Sequence, residues 1–418
     1  MRNMKLPLSI FIALCALGAT PARADQVLGS DLGGLLSYAR EHNPELAASR
    51  LDAEAAQQKA EPASALPDPV LRTERYDITG QAANMLPNVM PIQSYQLSQF
   101  LPWFGKRDLQ RGIATAQIDQ ANGQAAADWS DLAYRLKTGY ATRYYLAASE
   151  HLTRQNLDLL DNLEQIVRER YANGLSSQQD VVRVQVETTT LLGELIGIQN
   201  ERHHEHAKLN SLLARPVNAA LAEPVQPRPL PPAASLDEAA LLERLRAHNP
   251  SVRIAEAQIQ SADKSRDLAY INRFPGVTLG VAHTQYSSIN TWGVMAEFSI
   301  PLQQSARRAQ EHESEAMLAA ANARKQATLN QAESSLSENL SALNTAMRTK
   351  TLIETRLLPQ SDLSYQAALS GYETGKVEFA TLIDAQKQIL KAKQQQLQVQ
   401  TDMQLRLADI EKLLGEEL

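Results

Sequence analysis

From Trp129 onward, apolar residues recur in steps of three, four and seven: Trp129, Leu132, Leu136, Tyr140 and Tyr144, then Leu152, Leu159, Leu163 and Ile166. That period puts them on one face of an α-helix. No proline falls between Trp103 and Arg215, so the pattern predicts a helix over 104–171, which at the helical rise extends roughly 100 Å. A second stripe, Leu382, Ile389, Leu397, Met403, Leu407, Ile410 and Leu414, predicts a long helix near the end of the chain. Gly174 and Gly375 offer the first reversals, so each long helix has a partner folding back beside it. Pro359 interrupts one outgoing helix and predicts a kink there.

Elsewhere the period is two. Val277, Leu279 and Val281 alternate with Thr278, Gly280 and Ala282; Trp292, Val294, Ala296 and Phe298 alternate with Thr291, Gly293 and Glu297. One apolar face at period two means strand. Four strands are expected, over 70–78, 92–100, 277–286 and 289–298.

The order repeats. Leu35-Leu36 to His42-Asn43-Pro44 recurs at Leu241-Leu242 to His248-Asn249-Pro250, Tyr171 to Gly174 recurs at Tyr372 to Gly375, and Gln185 recurs at Gln386. Each half reads helix, helix, strand pair, long helix, return helix. Asn caps the second helix and Pro occupies its first turn, where no N–H is needed. His42 and His248 sit beside the same boundaries, which suggests capping. The repeats are placed at 25–215 and 235–418, joined by a connector over 216–234 whose prolines exclude helix and central strand.

Composition and charge narrow the class. With 44% hydrophobic but only 5% aromatic residues, the chain suits long helices better than several compact cores. A formal charge of −6 and the absence of a dense Lys/Arg run argue against nucleic acid. Arg2 and Lys5 precede an apolar run, and Ala22-Arg23-Ala24 follows, so residues 1–24 read as a secretory signal with cleavage before Asp25. Leu14 before the single cysteine, Cys15, disfavours lipidation.

Exported strands of about ten residues with one apolar face suit a transmembrane barrel. Four cannot close one, and an open edge in lipid leaves backbone groups unpaired. Three copies supply twelve strands, with the helices forming a second tube.

The chain resembles the TolC family of outer-membrane efflux factors along its mature length. The duplicated order, the Asn-Pro of each half and the Tyr-x-x-Gly turns carry the resemblance. Ala65 to Pro69 and Gln99 to Arg107, reading Gln-Phe-Leu-Pro-Trp-Phe-Gly-Lys-Arg, look most like its heavy-metal efflux branch. The resemblance implies a homotrimer with a twelve-stranded outer-membrane β-barrel and a periplasmic α-helical barrel, embedded in outer-membrane lipid. Its implied partners are a periplasmic membrane-fusion adaptor and an inner-membrane pump of the resistance-nodulation-division type. It also implies that Tyr171, Gly174, Asp180, Tyr372, Gly375 and Asp384 lie at tips that close the pore and meet the adaptor. The family's basic gate residue falls on Val377, with Lys376 adjacent. The alternative is that Tyr171 and Tyr372 pack the turns and Asp180 is a solvated acid.

His203, His204 and His206 form the densest imidazole group and are the candidate metal ligands, although His-x-x-x-His spacing is absent and a solvated helix end explains them better. Met85 and Met90 offer soft ligands in a hairpin loop, and chance placement explains them better. No nucleophile elbow, phosphate loop or dinucleotide fingerprint is present, so neither enzyme chemistry nor a cofactor is expected. The competing class is a periplasmic coiled-coil adaptor or structural protein.

Overall fold

The computed structural model describes residues 28–76, 92–224, 226–285, 289–300 and 302–418. The predicted signal segment with Cys15 and the methionines Met85 and Met90 lie outside the described residues.

The described elements run α1 (Leu32–His42), α2 (Pro44–Ala63), β1 (Val70–Tyr76), β2 (Ile92–Leu101), α3 (Lys106–Ala172) and α4 (Gln178–Leu212). A single 3₁₀ turn (Ala233–Leu236) precedes the second set: α5 (Glu238–His248), α6 (Pro250–Ile271), β3 (Val277–Gln285), β4 (Asn290–Phe298), α7 (Gln304–Leu352), α8 (Leu358–Glu373) and α9 (Phe379–Leu414). The fold is mainly helical with one small antiparallel sheet, and one unit of helices and strands occurs twice.

Equivalent residues build equivalent junctions. Asn43 caps α2 by accepting from the Leu46 N–H at 3.0 Å, and Asn249 caps α6 by accepting from Val252 at 2.9 Å. His42 and His248 place Nδ1 at 3.0 and 3.2 Å from the Tyr38 and Arg244 carbonyls, donating to the last turns of α1 and α5. Both histidines therefore act at helix ends, as the pattern predicts.

Three buried clusters hold the helices. One packs α1 and the middle of α3 around Leu35, Leu136 and Leu209. Its counterpart packs α5, α7 and the end of α9 around Leu241, Leu336 and Ile410. The third joins both halves, with Leu160 and Val167 of α3, Val184 of α4 and Phe379 and Leu382 of α9. In the α9 stripe Leu390 is buried, whereas the predicted Ile389 is only half-buried. Gly139 lets α4 approach α3, since a Cβ there would lie 2.6 Å from Leu209 Cδ2.

Pro359 does not end its helix. Residues Ile353–Leu357 form a π-turn between α7 and α8, and the Leu358 N–H donates to the Ile353 carbonyl five residues back. The wider turn absorbs the missing proline N–H while the helical path continues.

Candidate functional site: a two-faced sheet and paired helical tips

The sheet order is β1-β2-β3-β4, every neighbouring pair antiparallel. Its register aligns Leu71, Leu97, Val281 and Val294 in one row, and Thr73, Tyr95, His283 and Trp292 in another. Leu101, Val277 and Phe298 form a row of the same face nearest the helices. The opposite face carries Arg72, Gln96, Ala282 and Gly293 in one row and Glu74, Ser94, Thr284 and Thr291 in another, with Glu297 beside Thr278. Alternation is clearest in β3 and β4, so the sheet has one mostly apolar face, interrupted by Thr73 and Gln99, and one largely polar face that also carries Val70, Phe100 and Met295.

Trp292 is 76% and Val294 91% exposed in the single chain, so no helix covers the apolar face. Lone apolar residues at a surface are normal, whereas a contiguous apolar face four strands wide needs a covering phase. The outer edges of β1 and β4 are unpaired with each other, so the sheet is an open segment. No described helix is long and apolar enough to cross a membrane.

At the far ends of the helices the chain reverses twice in the same way. The Leu175 N–H donates to the Arg170 carbonyl at 2.8 Å and Gly174 to Tyr171 at 3.0 Å; Lys376 donates to Gly371 at 2.8 Å and Gly375 to Tyr372 at 3.0 Å. These paired bonds require a left-handed residue, and Gly174 and Gly375 have φ of 72° and 73°.

The predicted tip residues have separate surroundings within one chain. Asp180 closes a capping box with Ser177 at the start of α4, accepting from Ser176 Oγ at 2.7 Å and the Ser177 N–H at 3.0 Å. Burial raises its pKa, but the hydrogen bonds from Ser176 and Ser177 outweigh it and hold the carboxyl below the usual 3.8. Tyr372 is 4% exposed, packs on Phe379 at 5.3 Å between ring centroids, and its hydroxyl has no partner among the described residues. Tyr171 is half-exposed and Asp384 is exposed. The structure therefore gives Asp180 a capping role and Tyr372 a packing role, and joins them by no hydrogen bond inside one chain. The Ser177-x-x-Asp180 spacing was a legible signal for the capping box.

Val377 packs on Gly371, where an added side chain would overlap it, while Lys376 is exposed. The cation at the second tip comes instead from the first. Arg170 lies 4.8 Å from the Tyr372 ring centroid and donates to the Glu373 carbonyl at 3.3 Å. Sequence reading missed this residue, although its place in the last turn of α3 marked it as a helix-terminal cation.

Farther along, charged groups bind the two halves together. Glu411 of α9 accepts from Lys137 of α3 at 2.8 Å, from Arg228 of the connector at 2.6 Å and from the Leu418 N–H at 2.9 Å. Burial raises the Glu411 pKa, yet the bonds from Arg228, Leu418 and Lys137 outweigh it and keep the group below 4.5. A cavity of about 480 Å³ beside the connector includes His203 and His206 with Arg143, Glu150, Arg202 and Glu223. His206 donates through Nε2 to the Ala219 carbonyl at 2.8 Å, and His204 is exposed. Among the described residues no group of three or more histidine, cysteine or acidic side chains is placed to hold a metal ion.

Residues 241–416 match the family model described as outer membrane efflux protein. No curated protein sequence matches the chain significantly. Among solved structures, the chain is similar to the outer membrane protein VceC of Vibrio cholerae, with a TM-score of 0.80, 17% identity and coverage of 92% of this chain and 96% of that one. The CmeC outer membrane channel of Campylobacter jejuni gives 0.77 and 12%, covering 99% and 94%. CusC, described for its transmembrane channel formation, gives 0.77 and 16%, covering 92% of each chain. The second half thus matches the outer membrane efflux protein family, and the described chain has the fold of outer-membrane channel proteins.

Proposed function

We propose that this chain is the outer-membrane component of an efflux system, a passive exit duct built from three copies. It resides in the outer membrane, with its helices extending into the periplasm. The observation that carries the reading is the sheet, a segment with one apolar and one polar face and two open edges. In lipid such edges are tolerated only in a closed barrel, and three four-stranded segments make twelve strands. The polar face then lines water and the apolar face meets lipid.

The helical tips are the periplasmic mouth, where Tyr171, Gly174, Asp180, Tyr372, Gly375 and Asp384 narrow the pore and meet a membrane-fusion adaptor. An inner-membrane pump of the resistance-nodulation-division type loads the duct. The substrates we propose are heavy-metal cations, on the resemblance of residues 65–69 and 99–107 to that branch. A duct needs no tight metal site, because transit requires release. A periplasmic adaptor would instead fold its strands as a soluble domain with a covered apolar face.

Outer-membrane fractionation with heat-modifiable migration tests the reading. Detergent-dependent extraction supports the channel, and release by osmotic shock supports the adaptor. Loss of the gene should lower the inhibitory concentration of metal salts; loss of tolerance to organic antibiotics alone would contradict the metal assignment.

A further inference from the structure

The foot of the sheet carries a cavity that a water-filled duct does not use. Leu101 and Val277 pair across β2 and β3, on the face that also holds Leu97, Val281 and Val294. Both line a cavity of about 590 Å³ together with Trp103, Phe104, Arg107 and Arg111. The cavity is therefore continuous with the apolar face and not with the polar one.

Its two cations are held by one residue. Arg107 Nε donates to the Ser64 carbonyl at 2.7 Å, and Arg111 donates through Nε and Nη2 to Ser64 Oγ at 3.3 and 3.2 Å. Ser64 is 6% exposed, so these bonds anchor the guanidinium groups against α2. Neither arginine forms an ion pair with a carboxylate among the described residues, although Asp108 also lies on the wall. Phe104, on the same wall, is 88% exposed. Trp103 stacks on Phe274 with ring centroids 5.1 Å apart.

We infer that this cavity is a phospholipid site at the periplasmic rim of the barrel, with an acyl chain against Leu101, Phe104 and Val277 and the phosphate on Arg107 and Arg111. The inference rests on the membrane placement of the sheet. Aromatic and basic side chains collect where hydrocarbon meets headgroups, and two neighbouring guanidinium groups without a counter-ion match a phosphate through paired hydrogen bonds. A phospholipid supplies both halves at that depth.

The full chain, purified in detergent, is titrated with phosphatidylglycerol and with diacylglycerol of the same acyl chains, and lipid retention is read by native mass spectrometry. Phosphatidylglycerol should be retained at up to one per chain and outlast diacylglycerol. R107Q and R111Q should each weaken its retention roughly tenfold, the loss of one charge-assisted contact, with the assembly mass unchanged in the same spectra. R107K and R111K should restore part of it. Equal retention of the two lipids, displacement by inorganic phosphate, or indifference to the arginine changes in an intact trimer would overturn the site and leave the channel reading standing. A monomer soluble without detergent would remove the channel reading beneath it.

Discussion

Asn249 donates through Nδ2 to the carbonyl of Leu413 at 2.7 Å, tying the start of α6 to the end of α9 across 164 residues of sequence. The first half repeats the bond between Asn43 and Leu212 at 2.8 Å. Each asparagine also caps its own helix through Oδ1, so one side chain fixes a helix start and satisfies a helix-end carbonyl. Asn249→Ala should cost about 1–3 kcal/mol in denaturant unfolding. Asn249→Asp keeps the cap acceptor and loses the donor, so it should fall between wild type and alanine. Equal stability of all three chains would show that the junction carries no load.

Val294 and Glu297 occupy opposite faces of β4. Val294→Arg should hinder assembly by roughly 2–4 kcal/mol if the position lies near the bilayer midplane, whereas Glu297→Gln should assemble normally. Heat-modifiable migration of the two variants checks this, and equal tolerance would reverse the facing of the strand.

Glu411 is 3% exposed and neutralises two cations from different parts of the chain. Glu411→Gln should destabilise by about 3 kcal/mol, because Arg228 would lose its ion-pair partner and Lys137 would keep only the exposed Glu417, 3.4 Å away. Its pKa is lowered in the folded chain, so its stabilisation is complete above the ordinary 4.5 and fades as pH falls through the lower folded value. Unfolding curves between pH 6 and roughly pH 3 should show a steeper acid loss in wild type than in the glutamine variant. Parallel curves would contradict the linkage.

The tips were legible as turns and only partly as sites. Gly174 and Gly375 mark left-handed reversals that few other residues adopt, and the duplication placed them in register. Alternation likewise set β3 and β4 to within a residue, because the side-chain period leaves little freedom. Partner identity was not legible. Arg170 meets Tyr372 and Lys137 meets Glu411 only because the second half folds back on the first, and periodicity carries no record of that pairing. The π-turn before Pro359 was equally hidden, since a proline signals disturbance without saying how the backbone absorbs it.

Asp180 and Tyr372 belong to different tips, and closure around an axis would bring tips of neighbouring copies together. Asp180→Ala with Tyr372→Phe should raise single-channel conductance and sensitise cells to large antibiotics while the trimer persists. Arg170→Ala should act in the same direction, because it frees the second tip from the first. Asp180 caps α4, so Asp180→Asn at neutral pH separates loss of charge from loss of the cap acceptor. Wild-type conductance in every variant would place the constriction elsewhere.

Closure of the sheet by three chains can be read from the native mass of the detergent-extracted protein. A complex of three chains that keeps its mass until heated and requires detergent throughout is expected. A single chain that stays in solution without detergent would contradict it.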